Sequence, residues 1–257
     1  MITAWWAQLP LLTDPFFYAV AVPAVLLVGL SKSGFASGFG SLATPMMALI
    51  IPVPQAAAIL LPLLIVMDAA TLQQLWPHRD RLLVRRIIPW GIAGTAVGWA
   101  MFEILSAPAV AGLTGALTLA FLAQRLLFPP KQDAPPAHRW VGSACATVSG
   151  FTSFVAHAGG PPLAAYMLPQ KLPPLAYSGT MAVFFGAINL AKWVPFSALG
   201  LIDLRNMATA FILLPLAPAG VWLGVRMTRH VSNTWFYRLA YTGMFLTGVK
   251  LLWDGLR

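Results

Sequence analysis

The stretch GLSKSGFASGFG, running from Gly29 to Gly40, decides how this chain is read. It lies inside the apolar region 16–51, which is too long for one spanning helix of roughly 20 residues. Gly34, Gly38 and Gly40 interrupt it where a helix would have to continue. A matching stretch, GFTSFVAHAGG from Gly150 to Gly160, lies in the region 140–169 and runs into Pro161-Pro162. A piece such as 160–169 reaches only about half of a ~30 Å hydrocarbon core at 1.5 Å per residue. Both regions therefore read as a helix, a glycine break at membrane depth and a short second helix. Backbone that is not helical survives at that depth only inside protein or beside a wet cavity. A helix that kinks at glycine and spans normally is the competing reading.

The rest of the chain fits this setting. Of 257 residues, 59% are hydrophobic and 9% charged, with a mean hydropathy of +0.77. A soluble domain carries about 25% charged residues, so this composition excludes an ordinary soluble enzyme. Apolar runs at 54–75, 87–105, 108–128, 173–198, 205–226 and 233–253 predict crossing helices. The stretch PPKQDAPPAHR (129–139) is a polar, proline-rich linker at mid-chain. A net charge of +9 would suggest nucleic acid in a soluble protein. Here the basic residues cluster between apolar runs, where they mark the cytoplasmic side, so no nucleic-acid partner is expected. Trp5 and Trp6 read as an interfacial belt rather than part of a signal peptide.

The halves resemble each other. Asp68 lies 28 residues past Gly40 and Asn189 lies 29 past Gly160, while Gly94, Gly98 and Met101 recur as Gly220, Gly224 and Met227. The expected fold is an all-α polytopic membrane protein of two sequence-related repeats, 16–128 and 140–256. Each has a broken helix (16–51 or 140–169) followed by three crossings. The basic linkers 76–86, 125–139 and 226–238 share one side only if each broken helix returns to the side it entered from. Three crossings per half then make the repeats inverted, as in many secondary transporters.

Few ionisable residues fall at membrane depth: Lys32, Asp68, His157 and Lys192. Burial there is costly, so each is a site candidate. Lys32 can hold an anionic group as a point charge, or it can simply pair with Asp68. His157 can titrate near neutral pH and couple a proton to transport, or serve as a structural imidazole. Lys192, three residues after Asn189, shares its helical face or snorkels to an interface. Small hydroxyl residues crowd both breaks: Ser31, Ser33, Ser37, Ser41 and Thr44 in one, Thr152 and Ser153 in the other. Helices starting after Gly40 and at Pro161 aim positive N-termini at the midplane. The expected anion site is Lys32, Ser33, Gly38, Gly40, Thr152, Ser153, His157, Gly159 and Gly160, with Asp68, Asn189 and Lys192 in secondary or coupling roles. No cofactor or metal is expected. A P-loop is absent, GFASGFG follows no strand, the four histidines lack ligand spacing, and Cys145 is the single cysteine.

GLSKSGFASGFGSLATPMMAL, the following AAAILLPLLIVMD and GFTSFVAHAGGPPLAAYMLPQ resemble the TauE/SafE (TSUP) family of sulfite and organosulfur-anion exporters. The resemblance runs from about 20 to 255. Gly38-Phe39-Gly40-Ser41 stands where the family has a run of three glycines. The resemblance implies a multi-pass carrier of the bacterial inner membrane, exporting a small anion such as sulfite or sulfoacetate by alternating access. Its partners would be that anion and membrane lipid; a coupling proton or cation, and a homodimer, stay open. An integral membrane enzyme using His157, Asp68 and a serine, or a non-transporting partner or sensor, are the alternatives.

Overall fold

The computed structural model describes residues 12, 14–32, 39–128, 138–227 and 233–257, with backbone alone at 39, 224–227 and 233–240. Ser33, Ser37 and Gly38 lie outside the described residues, as does most of the 129–139 linker. The secondary structure is helical. Twelve helices are described: α1 (Pro15–Lys32), α2 (Ala43–Met47), α3 (Val53–Leu75), α4 (Arg81–Ile104), α5 (Ala107–Leu127), α6 (Arg139–Ala156), α7 (Gly160–Met167), α8 (Pro174–Ala191), α9 (Trp193–Ala198), α10 (Leu204–Leu213), α11 (Leu216–Met227) and α12 (Asn233–Gly255). Among the described residues, six helical stretches are long and apolar enough to cross a membrane. The chain is a polytopic, all-α membrane protein.

Local chemistry sets the helix boundaries. Asp80, Ser106 and Asp203 cap α4, α5 and α10, each side chain accepting from the backbone N–H three residues on. Pro52 and Pro173 stand just before α3 and α8, where the missing N–H is not needed. The apolar run 205–226 is not one continuous helix. Pro215 cannot donate to a preceding carbonyl, and the chain turns at Leu214-Pro215 between α10 and α11.

Both glycine-broken regions double back. The 3-10 turn Phe39–Leu42 brings Gly40 against Ser31, so close that an added Cβ would lie 3.3 Å from its side chain. Met47 of α2, with Ile50 and Ile51 after it, then packs into the cluster that holds Phe17 and Ala21 near the start of α1. In the second region Gly142, early in α6, lies against the ring of Tyr166, late in α7. The chain thus re-emerges near where α6 began. There Gly179 of α8 meets Leu75 and Arg79, and the Asp80 N–H donates to Thr180 Oγ1 at 2.9 Å. At the other end, Gln55 Nε2 donates to Asn206 Oδ1 at 3.0 Å, joining the starts of α3 and α10.

Close helix pairs rest on glycine. Gly29 of α1 and Gly220 of α11 approach so closely that a Cβ on Gly29 would lie 2.7 Å from Gly220 backbone. Likewise, Gly150 of α6 meets Gly91 of α4, and Gly94 meets Thr147. Lipid tails are as apolar as leucine, so membrane helices gain their packing from such close approach.

Candidate functional site

Residues flanking both breaks come together between α3 and α8. Leu60, Leu64, Thr71 and Leu75 fall on one stripe of α3, while Tyr177, Met181, Phe185 and Asn189 recur every fourth residue on α8. These stripes wall a cavity of about 250 Å3. Lys32, Gly40, Ser41, Ser153, His157 and Gly160 also line it. Its lining reaches the exposed Ser178, toward the end where Leu75 and the exposed Arg81, Arg85 and Arg86 lie. The opposite end is packed by Ala57, Ala58, Leu61, Phe154 and Phe196, with Trp99 and Trp193 against them.

One hydrogen-bonded chain of side chains runs beside the cavity. Lys32 Nζ is ion-paired with Asp68 Oδ1, and its side chain keeps 21% exposure against 3% for Asp68. Asn189 Nδ2 donates to Asp68 Oδ2 at 2.6 Å. Lys192, fully buried in the turn between α8 and α9, donates to Asn189 Oδ1 at 3.0 Å and to the Ser153 carbonyl at 2.7 Å. It also lies 2.7 Å from Ser153 Oγ and 3.0 Å from His157 Nδ1. His157 Nε2 faces the Ala57 carbonyl at 2.9 Å.

The partners fix the protonation pattern. A carbonyl only accepts, so His157 Nε2 carries the hydrogen and Nδ1 accepts in the neutral imidazole. Asn189 is oriented by the Asp68 carboxylate, so its Oδ1 accepts too. Lys192 Nζ can thus donate to the Ser153 carbonyl, to Asn189 Oδ1 and to His157 Nδ1. Among the described residues no carboxylate lies within ion-pair distance of it; the Ser153 carbonyl, near the negative end of α6, is its backbone partner.

Local backbone explains how α6 delivers these groups. His157 adopts the left-handed conformation (φ 51°, ψ 29°) and ends α6, its N–H donating to the Ser153 carbonyl. Histidine is among the non-glycine residues most often found there. Thr152 does not line the cavity: it is fully buried, and its hydroxyl donates to carbonyls, including that of Ala158 at 3.2 Å. Ser149 Oγ likewise donates to the Gly159 carbonyl at 2.6 Å. Gly159 is a packing position, because a Cβ there would lie 2.6 Å from the Ser149 carbonyl. Gly160 is open, with nothing within 4 Å of such a Cβ. The α7 start offers fewer donors than a helix N-terminus normally does, since Pro161 and Pro162 have no N–H. In the first break, Thr44 is fully buried away from the cavity lining.

Of the residues expected from sequence, Lys32, Gly40, Ser153, His157, Gly160 and Asn189 line one cavity, with Asp68 and Lys192 directly behind them. The α8 stripe of Tyr177, Met181 and Phe185 was not among them. Its only sequence signal is the fourfold spacing back from Asn189.

Comparison with protein families matches residues 21–251 to the family described as sulfite exporter TauE/SafE. No curated protein and no solved structure matched the chain.

Proposed function

The chain belongs to the sulfite exporter TauE/SafE family of membrane transporters, and we propose that it is a secondary carrier of a small anion of the sulfite and organosulfonate class. In this reading it exports the anion across the bacterial inner membrane by alternating access. The observation that carries it is the Lys32 ammonium, presented to a cavity lined by residues that flank both helix breaks. Serine and asparagine groups beside it can donate hydrogen bonds to anion oxygens.

Inverted repeats support the mechanism. Asp68 and Asn189 stand 121 positions apart and are hydrogen-bonded to each other. The same offset relates Lys32 to Ser153 and Gly29 to Gly150. A bond between equivalent residues lies on the axis that relates two repeats. The glycine pairs are consistent with this: α1 rests on α11 through Gly29 and Gly220, and α6 rests on α4 through Gly150 and Gly91. The arginine-rich end, toward which the cavity leads, would face the cytoplasm. An enzyme needs one pocket and no second, related half, which favours the carrier. Uptake of labelled anions into proteoliposomes tests the reading. Sulfite or organosulfonate accumulation above protein-free liposomes is expected; no transport of any anion in the panel would reject it.

A further inference from the structure

We propose that this cavity selects organosulfonate monoanions with an apolar body over inorganic sulfite and over dianions such as sulfoacetate. The inference rests on the anion-carrier reading and narrows it.

Charge is the first observation. Among the described lining residues Lys32 is the one lysine or arginine, and Asp68 already pairs with it. A monoanion places its single charge at that ammonium. The second charge of a dianion finds no further lysine or arginine in the lining, and an uncompensated charge in a poorly solvated site is expensive.

Room is the second. About 250 Å3 corresponds to roughly eight waters at ~30 Å3 each. An inorganic oxyanion held at Lys32 fills a small part of this and leaves the rest to water.

The wall beyond the lysine is the third. Leu60 and Leu64 on α3 face Met181, Ala182 and Phe185 on α8 along the same cavity. Water held against such a wall has few partners, and an apolar group that displaces it gains affinity. Apart from the hydroxyls of Thr71, Tyr177 and Ser178, the second carboxylate of sulfoacetate would meet these apolar side chains, with no cation beside it. Phe185 and Tyr177 also offer ring faces or edges to an aryl group.

The test is calorimetric titration of the whole chain in nanodiscs with methanesulfonate, benzenesulfonate, sulfoacetate and sulfite. Benzenesulfonate is expected to bind at least tenfold tighter than methanesulfonate, with sulfoacetate and sulfite no tighter than methanesulfonate. Met181→Ser, which makes the wall polar at a half-buried position, should reduce the benzenesulfonate-to-methanesulfonate ratio at least threefold. Equal affinities for the two monoanions, or a preference for sulfoacetate or sulfite, would overturn the proposal while Lys32-dependent binding kept the carrier reading intact. Absence of any anion binding that depends on Lys32 would overturn both.

Discussion

Lys32 is held at once by a carboxylate and by an open cavity, so its ammonium is aimed without being used up. Lys32→Ala should weaken methanesulfonate binding at least tenfold, about 1.4 kcal/mol, in protein that still purifies folded. Lys32→Arg should restore part of it, because a planar fork replaces a compact charge. Unchanged affinity in Lys32→Ala would move the anion elsewhere. Asp68→Asn keeps the side-chain shape but removes the carboxylate paired with Lys32, so sulfoacetate should gain on methanesulfonate; a constant ratio would show that net charge does not set selectivity. At His157, a proton added on Nδ1 would change the 3.0 Å contact with Lys192 Nζ. His157→Gln should therefore abolish accumulation driven by a pH gradient while leaving substrate exchange measurable in proteoliposomes. Persistent dependence on the gradient would make the imidazole structural. The charged members of this cluster were legible in the sequence because an ionisable group in an apolar run demands a reason. The role of Thr152 was not legible: a hydroxyl near a break could face a ligand or a carbonyl, and only the return of Ala158 onto α6 decides which. Met181 and Phe185 were hidden for the opposite reason, since an apolar residue in an apolar helix looks like any packing residue.

At the scale of helices, the broken segments were legible from glycine, proline and length, whereas their partners were not. Nothing in the local pattern tells that α1 lies on α11 rather than on α12; that follows from matching glycine surfaces folded from distant parts of the chain. The break at Leu214-Pro215 was also masked, because hydrophobicity continues across it although the hydrogen-bond ladder cannot. The glycine surfaces give a stability prediction. A methyl at Gly94 would overlap the Thr147 carbonyl, while one at Gly243 of α12 would meet only the flexible Leu42 side chain at 3.4 Å. Overpacking of a well-filled contact costs about 1–3 kcal/mol. Gly94→Ala should therefore lower the unfolding temperature in detergent and Gly243→Ala should leave it near wild type. Equal melting of the two would mean that the α4–α6 contact yields easily.

The whole molecule carries its asymmetry in charge. Exposed Arg81, Arg85, Arg86, Arg125 and Lys171 lie on the segments that begin or end at one face. Positive residues in short loops stay on the cytoplasmic side of the membrane, which orients every helix once one is oriented. From the arginine-rich end α4 leads away and α5 returns. α12 then packs antiparallel on α5, with Gly248 near Leu119 and Gly255 against Gly112. Gly112 is close to the start of α5, so the last helix ends at the face opposite the arginines. This outcome depends on both broken segments doubling back. Were each a full crossing, the number of passes would change and the basic linkers would divide between the two faces. A reporter active only in the cytoplasm should therefore be silent when fused after Arg257 and active when inserted in the 129–137 linker. Activity at Arg257 equal to that in the linker would mean that the two broken segments cross the membrane, and the inverted arrangement of the repeats would fall with them.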